Sequence, residues 1–111
     1  MHENEVARRE AAGRAAIRQT FGTTEGAEGA DLFVTHHREE LNSDYWRAHL
    51  GTPRPEPLRV LDILELRAHW SADDDDGLDV FDFTLPDDVT QYVISVRFDD
   101  AGNVEDISME S

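Results

Sequence analysis

The chain has 111 residues, enough for one compact core and too few for two. Its 25 Asp and Glu outweigh 10 basic residues for a formal charge of −15, a field that repels phosphate backbones and anionic lipid, so neither nucleic acid nor a membrane is an expected partner. Cysteine is absent and every basic residue is Arg, which removes disulfides, thiolate ligands and lysine chemistry, and no apolar run approaches the ~20 residues of a bilayer helix.

The opening Met1-His2-Glu3-Asn4-Glu5 lacks the basic and apolar regions of a secretory signal, so a cytoplasmic location is expected. From Glu3 to Thr20 the sequence is rich in Ala and Arg, and Glu5 with Arg9 and Glu10 with Arg14 stand at i, i+4, which predicts a helix. Its apolar stripe is thin. Val6, Ile17 and Phe21 are the large apolar residues, and Gly13 costs about 1 kcal/mol relative to Ala, so docking through Ile17 and Phe21 is expected. Residues 22–30 carry three glycines and no period, the pattern of a flexible connection. Residues 1–30 therefore read as a helix and linker appended to a single α+β domain over 31–111.

Asp31 is placed to cap a second helix bearing Phe33, Val34, His37 and Leu41, and Ser43 to cap a short third one bearing Tyr45, Trp46, His49 and Leu50. Gly51 and Pro53 end that helix, and Pro53, Pro55 and Pro57 keep the following stretch extended, with strands allowed after Pro57. In Leu58 to Trp70 the apolar Leu64, Leu66, Ala68 and Trp70 alternate with Glu65, Arg67 and His69, the period of a half-buried strand. A turn over Asp73 to Gly77 leads to Phe81, Phe83 and Leu85, a second over Pro86 to Gln91 to Tyr92, Ile94, Val96 and Phe98, and a hairpin around Gly102 to Ile107 and Met109. Four strands on short loops make an antiparallel meander with one apolar face, and the preceding helices are the available cover. The expected fold is α+β, a two-layer helix-on-sheet with N-terminal helices on one face of a four-stranded antiparallel meander.

The run Phe81-Asp82-Phe83-Thr84-Leu85, the strand Tyr92-Val93-Ile94-Ser95-Val96-Arg97-Phe98-Asp99 and the ending Asp106-Ile107-Ser108-Met109-Glu110-Ser111 resemble the small acidic bacterial proteins grouped as domain of unknown function 2004. The likeness covers residues 32–111, with the Ile-Ser-Met-Glu-Ser ending as its most specific element. It implies a helix-on-sheet fold, and the family supplies neither an activity nor catalytic residues. Some small acidic bacterial proteins of this size act as antitoxin or immunity proteins, an analogy of class alone.

Against a calcium loop, the run Asp73 to Asp79 aligns Asp74 and Asp76 with the third and fifth ligands but sets Ala72 first and Phe83 last, so a solvated hairpin tip is the better reading. His36 with Glu40 is the helical pair that could hold a cation, with His49 as a conceivable third ligand. His36 and His37 point about 100° apart and cannot share a metal. His37 is expected to cover the sheet, His36 to face water, and Trp46 and Trp70 to be core. No cofactor is implied.

On the solvent face, pairing Asp99 with Val104 sets Arg97 opposite Asp106 and Ser95 opposite Ser108. With Arg67, His69 and Asp82 these residues form a polar patch that could hold a peptide, a small polar ligand or a partner protein, and ordinary cross-strand ion pairs are its bland alternative. No Gly-x-Ser-x-Gly elbow, phosphate loop or nucleophile with its base is legible, so an enzyme is the minority reading. The expected function is non-catalytic recognition of a protein with a basic surface, regulatory or antitoxin/immunity-like, with homo-oligomerisation open. Its alternatives are a small-ligand or metal-binding protein using the polar sheet face, or an enzyme of unknown class.

Overall fold

The computed structural model describes residues 2–27, 29–70, 78–99 and 101–110. Its elements are helices α1 (His2–Thr20), α2 (Ala30–Glu40), α3 (Ser43–Leu50) and α4 (Pro57–Asp62), then strands β1 (Glu65–Trp70), β2 (Val80–Thr84), β3 (Val93–Phe98) and β4 (Val104–Glu110). The strands form one antiparallel sheet in the order β1-β2-β3-β4, so this is the α+β meander that the alternation predicts. The core joins Ile17 of α1, Phe33 and Val34 of α2, Trp46 of α3 and Val60 and Leu61 of α4 to Phe81, Phe83, Ile94, Val96, Phe98 and Ile107 of the sheet.

α1 docks more closely than its thin stripe suggests, because arginine stems and a glycine do what large apolar residues usually do. Arg9 is buried, its guanidinium donating to the Leu78 carbonyl at 2.6 Å and lying 5.6 Å from the centre of the Phe98 ring. Arg14 donates to the Leu64 carbonyl at 2.6 Å and lies 5.1 Å from the Phe83 ring. Each stem covers aromatic surface while its head finds an acceptor, with Glu5 and Glu10 completing the two sites. Two arginines beside Glu5 hold its carboxyl down at about 2. Between them Gly13 lets the helix backbone approach the Phe83 ring, and Arg18 pairs with Asp62 of α4. α1 is thus part of the packed layer, with Ile17 inside the common core.

The helix starts fall beside the residues that sequence suggested. α2 begins after Gly29, where a Cβ would lie 3.0 Å from Ile107, and Asp31 sits in the first turn with its carboxylate accepting the Gly22 N–H at 2.8 Å. Asn42, and not Ser43, caps α3 by accepting the Tyr45 N–H at 3.0 Å. Gly51 closes α3 at φ 72° as expected. α4 replaces the first half of the expected first strand. Pro57 occupies its first turn, where a missing N–H costs nothing, and Val60 and Leu61 turn inward at helical spacing.

Candidate functional site

The helices cover one side of the sheet and leave the other open. Across that open side the register sets side chains in three rows. The first holds the pairs Glu65–Thr84 and Val93–Glu110, the second is Ala68–Asp82–Ser95–Ser108, and the third Trp70–Val80–Arg97–Asp106. The expected pairs Arg97–Asp106 and Ser95–Ser108 are both present. At the hairpin itself Phe98, and not Asp99, pairs with Val104. Asp99 instead donates its N–H to the Asn103 carbonyl at 2.9 Å, and Glu105 is the extra residue that restores the register.

A bulge decides the composition of this face. Leu66 pairs with Phe83 but Ala68 pairs with Asp82, so Arg67 is an extra residue on the edge strand and every later side chain changes sides. Trp70, expected in the core, therefore lies on the open face and is 45% exposed. His69, expected in the polar patch, turns to the helix side and stacks on Phe81 with ring centres 5.1 Å apart. The patch keeps Arg67, Asp82, Ser95, Arg97, Asp106 and Ser108, loses His69 and gains Trp70.

These residues line a concavity of about 460 Å³. Val80 and Val93, both buried beneath longer neighbours, give it an apolar floor, and Gln91 and Glu110 extend its rim. Asp82 is its hub, accepting the Trp70 indole N–H on one carboxylate oxygen at 3.3 Å and the Ser95 hydroxyl on the other at 2.6 Å. Ser108 donates to Glu110 at 2.7 Å. The side chains of Arg67 and Arg97 make neither an ion pair nor a hydrogen bond among the described residues, although Arg97 stands opposite Asp106. The signal for Trp70 and the valines was present in part. β2 and β3 carry apolar residues of both parities, Val80 beside Phe81 and Val93 beside Ile94, which marks a sheet whose open side is half apolar.

The other candidates are structural. His37 is buried in α2, its Nδ1 2.7 Å from the Phe33 carbonyl and its Nε2 2.8 Å from the Thr90 hydroxyl, and burial pushes its pKa below the usual value. His36 is half-buried, edge-on to Tyr92 at 5.0 Å, and Glu40 is exposed one turn on. His49 does not join them, because its Nε2 lies 2.7 Å from an Asp87 carboxylate oxygen. Among the described residues no three His, Asp or Glu side chains converge on a possible cation position, and Asp74 and Asp76 lie outside the described residues.

Tyr45 completes the cluster at the β2–β3 turn, donating to the Pro86 carbonyl at 3.0 Å with its ring 4.5 Å from that of His49. Burial, followed by the Asp87 and Glu65 charges, raises the phenol to about 12. The cluster ties α3 to the turn in which Asp87 and Asp88 adopt φ of 71° and 54°.

Comparisons of the chain with protein-family profiles, with curated proteins and with solved structures find no match in any of the three.

Proposed function

We propose that this protein is a non-catalytic recognition module that binds a partner protein through the open face of its sheet, in a regulatory or antitoxin/immunity-like role. The observation that carries this reading is Trp70, an exposed indole at the side of the concavity, its N–H held by Asp82. Binding energy at protein interfaces concentrates on such aromatic anchors, and covering them is worth roughly 25 cal/mol per Å² of apolar surface. The charge of −15 favours a partner that is basic over most of its surface and accelerates the encounter at low salt.

The polar chemistry of the face supports binding over catalysis. Ser95 donates to a carboxylate with no histidine beside it, and Asp82 spends both oxygens on neighbours. A second reading follows from size alone. A concavity of about 460 Å³ is within the range of small-molecule sites, so a small polar ligand on the same residues is the alternative.

The test is affinity capture from the native cell at low and high salt, with wild type, Trp70→Ala and Arg97→Glu side by side. A partner held by wild type at low salt and lost from both variants supports the reading. Equal retention by wild type and Trp70→Ala rejects this face, and a co-purifying small molecule displaced by the same substitutions moves the assignment to the alternative.

A further inference from the structure

We infer that the open face contains a carboxylate seat built from Arg67 and Arg97, and that it takes the C-terminus of a basic partner chain whose last side chain is apolar or aromatic. The inference rests on the reading of this face as the recognition surface and names the group recognised.

Unpaired arginines are unexpected here, because carboxylates outnumber arginines 25 to 10. Arg8, Arg9, Arg14, Arg18, Arg47 and Arg59 all pair with acids. Arg38 donates to the Pro55 carbonyl, and the side chains of Arg54, Arg67 and Arg97 have no partner among the described residues; of these three, Arg67 and Arg97 line the concavity of the open face, and Arg54 lies elsewhere. The carboxylates beside Arg67 and Arg97 in the register bridge to neither arginine among the described residues. Asp82, across the bulge from Arg67, is engaged by Trp70 and Ser95, and Asp106, directly opposite Arg97, forms no bridge with it. Two guanidinium forks are thereby left to an external planar oxyanion, for which their geometry is suited.

The surroundings select among oxyanions. Buried Val80 and Val93 floor the concavity and the Trp70 indole borders it, so the charged group must arrive together with an apolar side chain. A chain terminus carries both on one carbon. A mid-chain Asp or Glu would instead lay its own backbone amides over the valines without partners. A phosphate dianion suffers more than a carboxylate from the surrounding charge of −15. Asp106 and Glu110 both lie on β4 at the side of the concavity away from Arg67, and these acids complement basic residues upstream of the terminus.

The experiment uses the full chain and a short basic peptide ending in Phe, prepared once with a free C-terminal carboxylate and once as the C-terminal amide. Binding is followed on the Trp70 indole N–H and the Arg67 and Arg97 Nε–H resonances, with Trp70→Phe assigning the indole signals. The free acid is expected to move these signals saturably and to bind at least about ten-fold tighter than the amide, the loss expected when a charge-assisted hydrogen bond is removed. Arg67→Gln and Arg97→Gln, both at exposed positions, should bring the acid down to the affinity of the amide and leave the amide unchanged. Equal binding of acid and amide overturns the carboxylate seat and leaves the recognition face standing. Silence of all three resonances with both peptides also overturns the seat, and the capture experiment then decides the face independently.

Discussion

Gly13→Ala separates a reading of α1 from sequence from one based on its packing. In an isolated helix the change stabilises by about 1 kcal/mol, because Ala loses less backbone entropy than Gly. Here a Cβ on Gly13 would lie 3.2 and 3.3 Å from two ring carbons of Phe83 and 3.7 Å from Phe98. Phe83 is fully buried, with the Arg14 guanidinium 5.1 Å from its ring centre, so the ring has little freedom to retreat by the few tenths of an ångström required. Overpacking of this kind costs about 1–3 kcal/mol and outweighs the propensity gain, leaving a net loss of about 1 kcal/mol. At about 2.1 cal/mol/K of unfolding entropy per residue, that loss lowers the melting temperature of 111 residues by about 4 °C. Thermal melts by circular dichroism measure it, with exposed Ala15→Gly as the control that loses about 1 kcal/mol through propensity alone. A melting temperature raised by Gly13→Ala would refute the reasoning, since it would mean that α1 does not rest on Phe83.

His37 is held neutral by burial, while the unfolded chain takes up a proton as pH falls through its usual 6.5. Stability from this group is therefore complete above that pH and declines below it, and the urea midpoint of wild type should lose ground to that of His37→Gln between neutral and mildly acid pH. A constant difference would contradict the assignment. Acrylamide should quench the fluorescence of Trp70, 45% exposed, and barely that of Trp46, 2% exposed, and Trp70→Phe should abolish the accessible fraction. Added salt, in the range of a few hundred millimolar, should raise the melting temperature by screening the charge of −15, and a flat or falling midpoint would show that local pairs such as Glu5 with Arg8 and Arg9 outweigh the global repulsion.

Alternation was a sound guide wherever each strand kept a constant parity. Phe81 and Phe83, then Ile94, Val96 and Phe98, face the helices as their spacing requires, and the β3–β4 register follows from Gly102, whose φ of 86° suits a glycine turn. The same rule failed in Leu58 to Trp70 for two physical reasons. Pro57 starts a helix as readily as it precedes a strand, and over six residues the pattern of Val60 and Leu61 suits either. One extra residue at Arg67 then exchanged His69 and Trp70 between faces, and no residue type announces a bulge at an arginine.

The sequence by itself determined the fold class, the meander order, the acid excess and six of the seven residues of the polar patch, because all of these depend on composition and on a period of two along single strands. Tertiary structure decided the rest. The docking of α1 through Arg9, Gly13 and Arg14 depends on the Leu78 and Leu64 carbonyls and on the Phe83 ring, at least fifty residues away in the chain. The make-up of the open face arises only when the bulge brings Trp70 to Asp82 and the sheet sets Arg67 and Arg97, whose side chains have no partner among the described residues, around one concavity. Whether a guanidinium finds a carboxylate is a matter of distances in space, which the sequence does not contain.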